Sequence, residues 1–441
     1  MQHRRTEQRV IVGDKDLGQA HVGSVACGLR RRPNTNALFE HPARLTKVRL
    51  HPPPETARIT FPCQHLSGLS LLALFAVLPA AQAQDSASIK FSGRLYYDVA
   101  RFDNDGRGKP ERDNDDLRAA WLAASGKLYG FDYKLEGDFA GHRPVARDVY
   151  LARSFGSTTL TLGQFKQYFT LDDRASTNHI PTIERSWLAQ TLAPTYRLGL
   201  GITGYDQQVF WSGSLYSLES IDAWKVKGRG FGARAGYAPW KTPGQVLHFG
   251  AAVAREYYDN PGSDGAAALR LQPRSAGYFG DNSRLTLLDF HSGRDVTAQK
   301  FGLEAAGVHQ QWSWQAEYGG ARYNDGQHKA EIRSGYLQGS WLLTGEPRAY
   351  DAKAGRFVQL KPARAGGAWE LVARYDRIDG RQWPDTRSDV AAQAWTVGVN
   401  WYAPRHFRLM LDWTDSRRRD ELRDSLLDRT GTLAARAQFD F

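Results

Sequence analysis

The feature that most constrains this chain is alternation with a period of two, repeated in segment after segment. Phe131, Tyr133, Leu135, Gly137 and Phe139 share one parity, and Asp132, Lys134, Glu136 and Asp138 share the other. Trp312, Trp314, Ala316 and Tyr318 alternate with Ser313, Gln315 and Glu317; Trp369, Leu371, Ala373 and Tyr375 alternate with Glu370, Val372, Arg374 and Asp376. Successive side chains of a strand point to opposite faces, so each segment reads as a strand with one apolar and one polar face. The segments run about 9–11 residues, the length of a tilted strand across a bilayer. Unpaired backbone groups are so costly in hydrocarbon that spanning strands must close on themselves. A charge on the lipid face costs about 2–4 kcal/mol at mid-depth. A closed barrel with lipid outside and water inside meets both demands.

Sixteen candidate strands are expected between residues 89 and 441, the last two at 406–415 and 431–441. Tight links such as Ala403-Pro404-Arg405 join some, and long polar stretches join others: Asp103–Asp115, Tyr257–Ala298, Thr344–Ala368 and Ser416–Thr430. Short turns on one rim and long loops on the other fit a transmembrane antiparallel β-barrel. In the last segment Leu433, Ala435, Ala437, Phe439 and Phe441 alternate with Ala434, Arg436, Gln438 and Asp440. A terminal aromatic on an amphipathic strand is similar to the signal that outer-membrane assembly machinery reads.

Composition agrees. Mean hydropathy is −0.53, and no run of 18 apolar residues occurs, which excludes a helical membrane protein. Aromatics reach 12% of a polar chain, as interfacial girdles require. Leu66–Ala81 has the length and composition of a signal-peptide core, and Ala81-Gln82-Ala83 is a cleavage signature. The expected organisation is therefore an upstream segment 1–60, unstructured or mis-assigned through a downstream translation start; a signal peptide 61–83, cleaved near Ala83; and a single outer-membrane barrel 84–441. Both cysteines, Cys27 and Cys63, precede the cleavage point, which leaves no thiol chemistry or cysteine metal site in the mature chain. Residues 1–83 carry eleven basic and five acidic residues, leaving 47 basic and 42 acidic in the mature chain. Much of the net +11 thus goes with the leader, and nucleic acid is not an expected partner.

Catalytic motifs are missing. Gly228-x-Gly230-x-Gly232 runs into an alternating strand instead of a helix, so it does not read as a phosphate loop. His142, His248 and His309 are scattered and read as pore or rim residues. The segment 164–190 is the best functional candidate: long, non-strand and rich in opposed charges, among them Lys166, Asp172, Asp173, Arg174, Glu184 and Arg185. Folded inward, it would narrow a lumen. Parity places eight basic residues on the lumen face, including Arg94, Arg118 and Arg374, and ten acidic ones, including Glu317, Asp376 and Asp412. That tally does not favour anions, but selectivity is decided at the narrowest ring.

Five stretches carry a family resemblance: FSGRLYYDVARFD (91–103), LTLGQFKQYFTLDDRAST with IERS (160–186), GYLQGSWLLTGEPRAYD (335–351), GAWELVARYDRID (367–379) and VNWYAP (399–404). Here the chain resembles the phosphate-selective porin O/P family, across essentially all of 84–441. The resemblance implies a sixteen-stranded, homotrimeric channel in the outer membrane of a Gram-negative bacterium. It implies that 164–186 folds into the pore and that basic side chains guide anions. Arg94, Arg101, Arg118, Arg185 and Arg348 stand where family members carry arginines, and Asp138 sits near a family pore carboxylate. Lys166 and Arg174 join them as pore candidates. Where family phosphate channels place a constriction lysine, this chain has Asn178 followed by His179, a departure that leaves the preferred anion open.

The expected function is passive diffusion of small polar solutes, anions such as phosphate or polyphosphate foremost, with no cofactor and no bond made or broken. Outer-membrane lipid is the expected surround. A non-selective or cation-preferring porin, a barrel enzyme and a plugged structural barrel are the alternatives.

Overall fold

The computed structural model describes residues 87–384 and 388–441, and a two-residue ladder pairing Val12–Gly13 with Ala20–His21. That ladder apart, the leader expected over 1–83 lies outside the described residues.

The chain forms β1 (Ser88–Asn104), β2 (Asn114–Leu128), β3 (Phe131–Asp138), β4 (Val145–Phe155), β5 (Thr158–Lys166), β6 (Tyr196–Asp206), β7 (Val209–Ser217) and β8 (Gly228–Thr242). It continues with β9 (Gln245–Tyr258), β10 (Val296–His309), β11 (Trp312–Asn324), β12 (Lys329–Leu342), β13 (Ala368–Trp383), β14 (Ser388–Tyr402), β15 (Phe407–Asp420) and β16 (Ser425–Asp440). Each pairs antiparallel with its chain neighbours, and β16 returns to β1, closing a sixteen-stranded barrel. Closure leaves no edge strand, as hydrocarbon requires.

The period-two pattern decides the two faces. Leu215, Trp314, Leu337, Trp395 and Leu433 stand exposed on the outer wall, while Glu370, Arg374, Asn400 and Arg436 are buried inside. Aromatics gather at the short-turn rim: Trp312 stacks on Trp341 at 4.7 Å, and Trp401 lies 6.4 Å from Trp369 and 6.3 Å from Phe407. The β2–β3 turn there is two residues, Tyr129 and Gly130, with φ of 50° and 76°. Two positive φ values match the twist of the paired strands.

Two expectations about the links change. Ser416–Thr430 is mostly strand: β15 and β16 run on as a ladder and turn at residues 421–424. Their outward parity becomes Arg417, Arg419 and Arg429 there, so the apolar signal ends before the hydrogen bonding does. The connection 343–367 joins β12 to β13 on the short-turn rim, opposite the other long loops. It carries a small hairpin pairing Tyr350–Asp351 with Arg356–Phe357.

Loop 167–195 holds two short helices, α1 (Leu171–Arg174) and α2 (Trp187–Leu192), capped by the Thr170 and Ser186 hydroxyls. Its Phe169, Leu188 and Leu192 share one buried cluster with Leu269, Leu271, Leu287 and Phe290 of loop 259–295. The barrel thus contains an apolar core of its own, built from two loops of the long-loop rim.

Candidate functional site

Loop 167–195 crosses the lumen and is fastened to the far wall by groups that sequence parity counts as free lumen charges. The Glu317 carboxylate on β11 accepts the Leu171 and Asp172 backbone N–H groups, each at 2.8 Å, where α1 begins. Asp412 on β15 accepts Ile183 N–H at 2.7 Å, and Asp376 on β13 accepts Trp187 N–H at 3.3 Å, the first turn of α2. Carboxylates suit these exposed N–H ends of a loop and helix. Arginines hold the carbonyls. Arg374 donates to Thr182 Oγ1 (2.6 Å) and Glu184 O (2.8 Å), Arg408 to Ile180 O (2.9 Å) and Arg436 to Ile183 O (3.1 Å). Asn400 Nδ2 adds Pro181 O at 2.7 Å.

The other flank of the loop faces β1–β5 and stays partly open: Arg174, Ser176, Thr177, Asn178 and His179 are half-buried, whereas Leu171–Asp173 and Ile180–Ile183 are buried. Arg94 on β1 donates to Ser176 Oγ (3.1 Å) and Thr177 Oγ1 (3.2 Å), lies 4.1 Å from the Trp121 ring centre and has Glu136 at 3.5 Å. Tyr96 O–H donates to the Asn178 side-chain carbonyl. Lys134 bridges Glu136 and Asp148, the latter at 2.8 Å. Lys166 donates to Asp173 O at 2.9 Å, with the Asp173 carboxylate at 3.3 Å.

The connection 343–367 reaches this flank from the opposite rim. Arg348 pairs with Glu370 at 2.9 Å and donates to His179 O at 2.6 Å; Arg356 donates to Arg174 O at 3.4 Å. Its turn is held by Arg234, which grips Glu304 through two bonds (2.7 and 2.8 Å) and donates to Gly355 O at 2.7 Å. Loop 167–195 is therefore met by inserted segments from both rims.

The charges sort unequally. Asp98 is doubly bonded by Arg436, both at 2.7 Å, and Glu304 by Arg234. Glu317, Asp376 and Asp412 hold the loop. Arg174, Arg356 and Arg408 instead donate to backbone carbonyls, and none of the three has a carboxylate within ion-pair distance among the described residues. The positive surplus therefore stands around residues 174–179. His179 registers it: its imidazole is pushed down to about 3, by burial first and then by Arg94, Arg356, Arg348 and Arg408. Arg174 is lowered by burial and then by Arg356.

Of the residues expected at the pore, Arg94, Lys166, Arg174, Asn178 and Arg348 meet here. Arg185 lies behind the loop, donating to Ala175 O at 2.7 Å and to the Asp172 carbonyl. Arg118 is inside but higher, 4.0 Å from the Tyr278 ring centre under loop 259–295. Asp138 is buried, paired with Arg147 at 3.0 Å and accepting Ala120 N–H and Ala140 N–H, both at 3.1 Å, so it anchors a strand end. Arg101 has the opposite parity to Arg94 and is exposed on the outer wall, so it does not line the lumen. Sequence reasoning missed Ser176, Thr177 and Arg356. The hydroxyl pair sits in plain view inside the candidate loop, and Arg356 carries no periodic signal.

A closed barrel with an apolar outer wall and a charged lumen narrowed by inserted segments is an outer-membrane porin. The model of the family described as phosphate-selective porin O and P matches residues 89–441, and the chain belongs to that family. It is similar to Porin O of Pseudomonas aeruginosa, 27% identical over 359 residues, covering 74% of this chain and 82% of that one. Two solved structures share the fold. An anion-selective porin from Comamonas acidovorans is 10% identical with a TM-score of 0.53, covering 81% of this chain and 100% of that one. The trimer form of the outer-membrane protein OmpT of Vibrio cholerae is 12% identical with a TM-score of 0.52, at the same coverages.

Proposed function

We propose that this porin passes small anions, phosphate and polyphosphate among them, by passive diffusion, and that it makes and breaks no bond. The observation that carries this is the charge placement. Lumen carboxylates are engaged by arginines, lysines or loop N–H groups, while Arg174, Arg356 and Arg408 hold their charge against carbonyls beside the open flank. Low-dielectric walls focus that surplus on the path. An entering oxyanion exchanges water for charge-assisted bonds from Arg94, Lys166 and Arg174 and for the hydroxyls of Ser176 and Thr177. Binding stays weak enough for release because these cations already have protein partners. The family's description and the anion selectivity of the Comamonas porin agree with this. The same reading includes export by a signal peptide cleaved near Ala83 and assembly as a homotrimer.

The test is single-channel recording in a planar bilayer under a KCl gradient, followed by phosphate titration. A reversal potential of anion sign with chloride current blocked by phosphate is the expected result. Cation sign would overturn anion selectivity, and anion sign without block would remove phosphate as the solute.

A further inference from the structure

The outer wall of β10–β13 carries a groove of about 640 Å³. Its floor is Ala305, Ala316 and Gly335, with Leu303 and Tyr318 on one side and Leu337 and Tyr375 on the other. The register makes it one feature: Ala305 opposes Ala316, Ala316 opposes Leu337, Tyr318 opposes Gly335 and Gly335 opposes Arg377. Small residues among large ones leave a depression in the apolar wall. At its upper end the wall turns charged, with four arginines among three carboxylates. Arg333 and Arg377 line it, with Asp379 directly across from Arg333 and Glu331 at 3.7 Å from Arg333. Just above, Arg322 pairs with Glu331 (3.0 Å) and Arg381 with Asp389 (2.7 Å), all four arginine side chains lying toward the long-loop rim. These pairs are exposed: the side chains of Arg322, Arg333 and Arg381 keep 76%, 59% and 63% of their accessible area. Exposed pairs are worth little, so a phosphate can displace a carboxylate from them. The same strands end on the opposite rim in Trp312, Trp341 and Trp369.

This polarity separates the two leaflets. Long loops mark the external rim of a bacterial barrel, so the arginines meet the external headgroups and the tryptophans the periplasmic ones. We propose that the groove binds a phosphorylated glycolipid of the external leaflet. An acyl chain lies over Ala305, Ala316 and Gly335, and a phosphate sits between Arg333 and Arg377, where guanidinium offers two parallel donors. The site is separate from the lumen and does not depend on which solute passes.

The experiment is native mass spectrometry of the purified, lipid-depleted full barrel with bis-phosphorylated lipid A and with the same glycolipid lacking both phosphates. The phosphorylated form is expected to bind the parent at least about tenfold more tightly (~1.4 kcal/mol). Arg333→Gln/Arg377→Gln should lose that preference. Arg333→Lys/Arg377→Lys should retain part of it, and Arg255→Gln on β9, exposed on the same wall, should keep it whole. Parent-like affinity in the double glutamine variant, or equal binding of the two glycolipids, overturns the proposal. So does a change of oligomeric state in that variant without added lipid, which would mark the face as a contact with a second copy. The variant's reversal potential should equal the parent's, so failure here and failure of anion selectivity read out separately.

Discussion

Replacing Glu317 by alanine tests whether the inserted loop sets the pore. Glu317 accepts two backbone N–H groups at 2.8 Å and the Tyr336 hydroxyl at 2.6 Å. Hydrogen bonds to a charged group contribute about 1.5–3 kcal/mol each, and a buried N–H left without an acceptor adds a penalty. Losing both loop bonds should weaken docking of the α1 end by roughly 3–5 kcal/mol. At about 1.4 kcal/mol per factor of ten, the undocked population rises by roughly 10² to several times 10³. Residues 180–187 keep their anchors on Asp412, Asp376 and Arg374, and 174–179 keep theirs on Arg94, Arg348 and Arg356, so the α1 end around 171–173 loosens first. The barrel ladder is untouched, and the folded form should keep its resistance to unfolding in detergent gels. Single-channel recordings should then show larger conductance, added open-channel noise and a reversal potential closer to zero. Glu317→Gln should fall between, since its amide oxygen can serve one N–H while its NH₂ opposes the other. A Glu317→Ala channel with parental conductance, noise and selectivity would refute the idea that this loop forms the constriction.

Three further outcomes follow from the same structure. Arg356→Glu should reduce the anion-to-cation permeability ratio by about tenfold, corresponding to ~1.4 kcal/mol, and an unchanged reversal potential would remove Arg356 from the path. His179, held down to about 3, is neutral throughout the physiological range; raising pH from 5 to 8 crosses no titration of this group, so parent and His179→Gln should share one conductance–pH profile, and a step near pH 6.5 found only in the parent would contradict it. Gly93 is covered by the Phe441 ring, where a Cβ would fall 2.5 Å from its nearest atom and 2.8 Å from Trp121 O; Gly93→Val should cost about 1–3 kcal/mol through overpacking, read as a lower temperature for conversion of the folded gel band, and a parental temperature would show the ring moves aside freely.

The barrel was legible because hydrocarbon enforces its pattern. Trp369, Leu371 and Ala373 have to face lipid, and Glu370 and Arg374 have to face away, so parity alone assigned them. Where that pressure stops, sequence reading loses its hold. Above the membrane β15 and β16 continue with Arg417 and Arg429 outward, and nothing in their composition separates strand from loop. Bulges also shift parity. One lies between Leu135 and Gly137 in the β3–β4 pairing, and Arg147 escaped notice on the strand it displaces. Arg101 shows that a residue matched by resemblance still obeys local geometry: seven positions from Arg94, it points the other way. The site was legible in part. The loop announced itself by length and charge, but the partners of Glu317, Asp376 and Asp412 are set by where a non-periodic segment lands. A tally of charges on strands could not distinguish an acid facing the solute from one fastening a loop.

The meeting of the loop and the β12–β13 connection has a consequence for how such a channel can change. Arg348 and Arg356 enter from the periplasmic side to touch the carbonyls of His179 and Arg174, which arrive from the external side. The lumen is therefore narrowed at a joint between two inserts, and the cylinder is only its mount. Either insert can be rewritten without disturbing the lipid-facing pattern that assembly depends on. If the inserts set solute preference as proposed, that trait and membrane insertion are carried by different stretches of the same chain.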